Sequence, residues 1–312
     1  MRVAVIGAGI AGLVAARDLA VAGHGVLVVE KSRGLGGRMG TRRVDGAVVD
    51  HGLPVLEVPP DGVLAGLVTE FAPDTVHLDG DAVAWPGGMT TLPKAMAVSL
   101  EILGDTRVAA LRQGSDGIEV AHDQGNTIGV FDAVIITAPA PQMVELLEHS
   151  PEPMRADAMR TISYDPAVMV LAGVRTATPG WRLARPDAGP IEYVTDETLK
   201  GRPAVDGVVP MVVRLRPDDS TRLFDASDGA VLAEVLPALA TALGPGAPAP
   251  EWTQVKRWRY CIARSRVDQA SVNPVGSPII LAGDAVAAGP TMDDVARTGE
   301  WAARRLTGDS LL

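Results

Sequence analysis

The first thirty residues, MRVAVIGAGIAGLVAARDLAVAGHGVLVVE, constrain the fold more than any other stretch. Arg2–Ile6 is a short apolar run of the kind shown by a parallel strand buried on both faces. Gly7-Ala8-Gly9-Ile10-Ala11-Gly12 follows without a gap, and the alanine- and leucine-rich, proline-free stretch beyond it predicts a helix. Val26–Val29 is a second buried run, ending in Glu30. Strand, glycine turn, helix, strand and acid in this order make the dinucleotide-binding βαβ unit. Gly7 permits the tight turn, Gly9 lets the backbone approach a pyrophosphate, and Gly12 allows the helix to pack closely on the strand. Ile10 and Ala11, between them, belong to the same cofactor-binding turn, where the positive end of the helix favours a phosphate. Glu30, eighteen residues beyond Gly12, is placed to accept hydrogen bonds from an adenosine ribose. Three glycines alone would mark only a turn; the strand, helix and acid around them point to a cofactor.

At 312 residues the chain supports one large domain or two interleaved ones, and with 47% hydrophobic residues it can bury a sizeable core. A net charge of −10 argues against nucleic acid and anionic membranes as partners and leaves a small-molecule substrate. Cys261 is the one cysteine, which excludes a disulfide framework and a cysteine-rich metal site and fits a reducing cytoplasm. Gly7, Gly9 and Gly12 interrupt the apolar N-terminus where a signal peptide would be continuous, so it reads as strand and helix. No run of about eighteen apolar residues occurs, so nothing is expected to span a membrane.

Lys31-Ser32-Arg33-Gly34-Leu35-Gly36-Gly37-Arg38-Met39-Gly40-Thr41-Arg42-Arg43 is a glycine loop carrying a lysine and four arginines directly after the proposed ribose acid. Positive charge and free backbone N–H groups there would neutralise a diphosphate, so the cluster reads as a ligand clamp. Glu30–Arg43 also resembles the second fingerprint of the FAD-dependent amine oxidase superfamily, and Lys31–Met39 is similar to its renalase-like branch. The resemblance implies FAD as the dinucleotide, with Lys31, Gly37, Arg38 and Met39 at the diphosphate. Asp50-His51-Gly52 is similar to a segment that such proteins carry beside the flavin ring, which places Gly52 and Leu53 there. The following Leu53-Pro54-Val55-Leu56-Glu57 departs from that branch, and His51 alone could equally be structural. By position, Val108 is the implied adenine contact, and Met89 stands between a pocket wall and plain core. Pro278–Asp284 resembles the third flavoprotein signature, with Gly283 and Asp284 at a strand end.

The resemblance implies an α/β fold: a Rossmann-like FAD-binding domain interleaved with an α+β substrate domain built on an antiparallel sheet. The first would comprise residues 1–72, 86–150 and 276–312, and the second 73–85 and 151–275. Within them, Leu92 to about Leu103 reads as one helix and Phe131–Thr137 as one buried strand. Pro237 would kink or split a helix over Asp228–Leu243, and the helix from Met292 would offer its N-terminus to a reduced flavin. No Ser-His-Asp arrangement, metal-ligand spacing or catalytic cysteine motif competes with flavin chemistry. The implied activity is a renalase-like oxidase, taking a hydride from a dihydropyridine or amine C–H and passing electrons to oxygen. An amine oxidase or desaturase of a specialised pathway and a flavin-binding protein without turnover are the alternatives. With three tyrosines and three phenylalanines, an aromatic amine cage is poorly supplied, whereas Arg182, Arg185, Arg214 and Arg216 are available for anions.

Overall fold

The computed structural model describes residues 1–177, 179–180 and 184–308; Arg182 lies outside the described residues. Strand β1 (Arg2–Ile6), helix α1 (Ile10–Val21) and strand β2 (Gly25–Val29) form the expected opening unit, followed by the hairpin β3 (Thr41–Val44) and β4 (Ala47–Asp50). Next come β5 (Leu56–Glu57), α2 (Val63–Phe71), β6 (Val76–His77), β7 (Ala82–Ala84), α3 (Thr91–Ala97) and β8 (Glu101–Leu103). An antiparallel meander, β9 (Val108–Gln113), β10 (Ile118–His122) and β11 (Thr127–Phe131), leads into β12 (Ala133–Ile136), α4 (Ala140–Glu148) and α5 (Ala156–Arg160). The rest is β13 (Tyr164–Arg175), β14 (Ile191–Asp196), β15 (Val208–Leu215), α6 (Pro217–Leu223), α7 (Asp228–Leu243), β16 (Trp252–Ala263), β17 (Ile279–Leu281) and α8 (Met292–Thr307).

Two sheets carry the architecture. The first is parallel, in the order β17-β12-β1-β2-β8, so strands from both ends of the chain meet beside β1. Its inner strands β1 and β12, with β17 beside them, are apolar runs buried on both faces, as parallel sheets require. Helices α1 and α8 pack together on one face through small residues; a Cβ on Gly299 would lie 2.1 Å from the Ala11 carbonyl oxygen. Residues 73–85 add Val83, Ala84 and Trp85 to the core on that side. The second sheet is antiparallel, β14-β15-β13-β16, with α7 laid across it through Val231, Val235 and Leu239. The fold is thus α/β, with a Rossmann-type parallel sheet and a separate antiparallel sheet.

Three local expectations give way to tertiary structure. Helix α3 ends at Ala97, and β8 instead pairs with β2 as the edge strand, because the parallel sheet offers it a hydrogen-bonding partner. The run through Phe131 is two strands broken at Asp132, whose carboxylate accepts from the Arg2 N–H at 2.6 Å. Helix α7 is not split: Pro237 sits on its exposed face, where water can satisfy the freed carbonyl, while the buried stripe holds the other face.

Candidate functional site

The C-terminal ends of β1, β2, β12 and β17 open into a cleft of about 580 Å³. This is where parallel α/β sheets bind ligands. Gly7, Gly9, Ile10, Ala11, Glu30, Lys31, Gly37, Arg38, Val108, Gly283 and Asp284 all line it. Gly7 has φ +107°, open to glycine at little strain, and its Cβ would lie 2.6 Å from Thr137 Oγ1. Thr137, at the end of β12, donates from that hydroxyl to the Ile6 carbonyl at 2.9 Å and so pins the turn. Gly12 does not face the cleft; a Cβ there would stand 2.0 Å from the Gly7 carbonyl oxygen, so it sets how closely α1 approaches β1. Above Gly9 no protein atom lies within 4 Å of a Cβ position, and α1 has no side-chain cap, so its first N–H groups are left for a ligand.

Glu30 is buried and holds the cleft in shape: its carboxylate accepts from Ala8 N–H and Ser32 N–H, both at 2.8 Å. Lys31 donates to Gln142 at 3.0 Å, and burial lowers its pKa. Only Lys31 and Arg38 of the five cations in Lys31–Arg43 reach the cleft. Positive φ at Gly36 and Gly37 turns the loop, and Arg42 and Arg43 leave on β3, where Arg42 binds Gln254. Met39 is fully buried in the core, as is Met89, and neither lines the cleft.

A second chamber of about 320 Å³ adjoins the cleft, sharing Arg38, Trp258, Asp284, Met292 and Val295 with it. Gly52 and Leu53 line this chamber. A Cβ on Gly52 would meet the Arg38 carbonyl oxygen at 2.0 Å, and Leu53 N–H donates to that oxygen at 2.8 Å, so the two loops are locked together. At the junction, Asp284 accepts from Arg38 at 2.8 Å and from the Tyr164 hydroxyl at 2.9 Å. Tyr164 in turn accepts from Ala140 N–H, and burial raises its pKa far above that of a free phenol. Tyr164 and Trp258 escape sequence reasoning because they come from the antiparallel sheet; Trp258 lies in a basic-aromatic run, Lys256–Cys261, whereas nothing around Tyr164 marks it.

His51 faces neither cavity. Its ring stacks on Trp258, with centroids 5.5 Å apart, and burial, reinforced by Lys256 and Arg42, lowers its pKa to about 4. The ring is therefore neutral at pH 7. In the unfolded chain it takes a proton near 6.5, so acid favours unfolding. Its contribution to stability is whole above about pH 6.5 and is lost as the pH falls from there toward 4. His51→Gln is expected to flatten that part of the Tm–pH curve, measured by thermal unfolding; a curve unchanged between those values would contradict this account. Asp50, one residue before, belongs to a buried ion network with Glu197, Lys200 and Arg202. Helix α8 differs from expectation at its start: Thr291 and Asp294 form a capping box and Asp293 adds a second acid, which offset the positive end meant for a reduced flavin. Cys261 is half-buried on the chamber wall, and burial pushes its thiol pKa up.

Residues 61–307 match the sequence profile of the flavin containing amine oxidoreductases, and residues 5–71 that of an NAD(P)-binding Rossmann-like domain. The chain belongs to the flavin-containing amine oxidoreductase family. A putative flavin-containing monoamine oxidase, AofH of Mycobacterium tuberculosis, is 41% identical over 112 residues, covering 34% of this chain and 24% of that protein. A 4,4'-diapophytoene desaturase of Staphylococcus aureus is 46% identical over 61 residues, 20% of this chain and 12% of that protein. The match thus spans about a quarter or less of these curated relatives. A putrescine oxidase solved with putrescine has a TM-score of 0.77 at 18% identity, covering 99% of both chains. A putative protoporphyrinogen oxidase from Exiguobacterium sp. 255-15 has a TM-score of 0.75 at 15% identity, again over 99% of each. Both show the same fold. The cofactor of this flavin-containing family member is FAD, and the cleft has features that fit it: open space above Gly9, uncapped N–H groups at α1, and the cations Lys31 and Arg38 on its wall.

Proposed function

We propose that this chain is an FAD-dependent oxidase of renalase-like type, acting on a dihydropyridine or amine C–H in the smaller chamber. FAD, when bound, supplies the chemistry by accepting a hydride from the substrate and passing the electrons to oxygen, giving peroxide. In the same reading Gly9, Ile10 and Ala11 hold the diphosphate, Glu30 and Val108 the adenosine, and Arg38, Gly283 and Asp284 the middle of the cofactor. Gly52 and Leu53 form the wall facing the ring. The absence of a membrane-crossing helix among the described residues and the single cysteine support a cytoplasmic setting.

The observation that carries the substrate class is the lack of a poised base among the described residues that line the chamber. Asp284 is tied to Arg38 and Tyr164, the Cys261 thiol is pushed toward its protonated form, and His51 is shielded by Trp258. Glu57, the other carboxylate among the described lining residues, stands exposed to solvent. Such a chamber suits a donor whose own ring nitrogen expels the hydride, and Trp258, Leu53 and Met292 offer it apolar walls. Anaerobic mixing of the FAD-loaded protein with isomeric dihydronicotinamides is expected to bleach the flavin, and admitting air to restore it with release of peroxide. No bleaching at millimolar donor would overturn the reading. The sequence match to AofH favours amine oxidation as the second reading; peroxide released from an amine panel, with no response to dihydronicotinamides, would decide for it.

A further inference from the structure

We propose that the chamber of about 320 Å³ recognises a substrate carrying a carboxylate or a phosphate monoester, gripped by Arg266 with Arg214 beside it. This rests on the reading of that chamber as the substrate site. Among the described residues, five charged groups line it: Arg38, Arg214, Arg266, Glu57 and Asp284. Arg38 and Asp284 neutralise each other at 2.8 Å. Arg214 has Glu192 behind it, 3.1 Å from Nε, and its guanidinium stands over the buried Tyr193 ring at 5.8 Å. Glu57 is exposed, so water screens its charge. Arg266 differs from all of these. It has no ion-pair partner among the described residues, while its Nε, like that of Arg214, is buried without a hydrogen bond.

A guanidinium N–H removed from water and left unpaired is unfavourable unless something in use satisfies it. The complement to a planar guanidinium fork is a carboxylate or phosphate, which accepts two parallel N–H bonds. The walls otherwise offer little to a cationic amine. Trp258 is the sole aromatic among the described lining residues, and its ring is already stacked on His51 and approached by Lys256 at 5.0 Å. With Arg38 paired to Asp284 and Arg214 to Glu192, Arg266 is the cation left without an ion-pair partner among the described lining residues, and the charge of Glu57 is screened by water. The anionic end of the ligand sits against Arg266, in the chamber whose wall Gly52 and Leu53 also form.

The test is equilibrium binding to the FAD-loaded protein, followed by the change in flavin absorbance with benzoate, phenyl phosphate, the uncharged benzamide and putrescine. Benzoate or phenyl phosphate is expected to bind roughly ten- to a hundredfold tighter than benzamide, as a charge-assisted bond implies. The tighter of the two identifies the anion. Arg266→Gln should abolish that preference while leaving benzamide affinity and FAD content unchanged; Arg214→Lys, which keeps the charge facing Glu192, should weaken it less. Equal binding of benzoate, phenyl phosphate and benzamide, tighter binding of putrescine, or an Arg266→Gln protein with the preference intact would overturn the anion site. Wild-type protein that takes up no FAD would instead overturn the flavin reading beneath it, and the two failures are told apart by colour alone.

Discussion

Gly9→Ala is expected to give a folded protein that stays nearly colourless, whereas Gly12→Ala loses both colour and stability. Gly9 has φ −75° and ψ 177°, a conformation alanine adopts freely, and no protein atom lies within 4 Å of the added Cβ. The methyl group therefore disturbs nothing in the protein itself, and in the proposed reading it occupies the space through which the FAD diphosphate would approach α1. Overpacking of about 1–3 kcal/mol against the cofactor corresponds to roughly ten- to a hundredfold weaker FAD binding. At Gly12 the same methyl would be 2.0 Å from the Gly7 carbonyl oxygen and 3.1 Å from Thr137 Oγ1. Relief requires α1 to lift off β1, and α1 is buried along Ile10–Ala16 and at Leu19. The upper end of the overpacking range or beyond applies, about 3 kcal/mol, which lowers Tm by roughly 5–10 °C in a chain of this size. Tm of the cofactor-free proteins and FAD titration of each separate the two effects. A Gly9→Ala protein that binds FAD as the wild type does would show that the cleft above α1 is not where the diphosphate lies.

The parts of this fold that were legible are those where a local requirement writes itself into consecutive residues. A parallel strand buried on both faces must be apolar throughout, so Arg2–Ile6, Gly25–Val29 and Ile279–Leu281 announce themselves. The turn at Gly7 needs a left-handed φ and the crossing at Gly12 needs no side chain, so glycine there carries meaning. Edge strand β8 was hidden, because Glu101-Ile102-Leu103 has no pattern of its own and is a strand only by pairing with Leu27–Val29. Pro237 misled for the opposite reason. A proline rule written for an isolated helix ignores the packing of Val231, Val235 and Leu239, which holds α7 together across it.

In the site, residues from the opening βαβ unit could be placed from sequence, whereas those reaching it from the antiparallel sheet could not. The sequence reads Arg38 as a diphosphate contact; the structure pairs it with Asp284 and the Cys261 carbonyl, residues more than two hundred positions away. Tyr164, Trp258 and Arg266 enter the two cavities or their junction only because β13 and β16 lie alongside the parallel sheet's open end. No periodicity predicts such an approach. The basic loop shows the limit in another way: charge clustered in sequence over Lys31–Arg43 is dispersed in space by two left-handed glycines and a hairpin.

Lys200→Met is expected to destabilise the folded chain by about 3–5 kcal/mol, although Lys200 touches neither cavity. Lys200 and Arg202 each contact both Asp50 and Glu197; Lys200 Nζ lies 2.7 Å from Glu197 and 3.2 Å from Asp50, and all four side chains are at most 2% exposed. The quartet is neutral as a whole and joins β4, directly before the Gly52 chamber wall, to the segment after β14. Asp50 also accepts from Met89 N–H and Thr41, and Glu197 accepts from Thr195, so the carboxylates are well bonded while both cations are present. Removing one cation leaves an uncompensated buried negative charge. Adding Glu197→Gln to Lys200→Met restores neutrality, so the double variant should be more stable than the single one, a coupling measurable by denaturant unfolding. The pH dependence has a definite sign. Burial alone would raise the Asp50 pKa, but Lys200, Arg202 and the two hydrogen bonds outweigh it and hold the carboxylate below its usual 3.8. In the wild type that stability is present above about pH 4 and lost as the pH falls through the lowered folded value. In Lys200→Met the surplus carboxylate is pushed upward instead, so its penalty is relieved by protonation, and the two stability curves converge in acid. A deficit that stays constant from pH 8 to pH 4 would mean the missing lysine is felt as lost packing and not as lost charge.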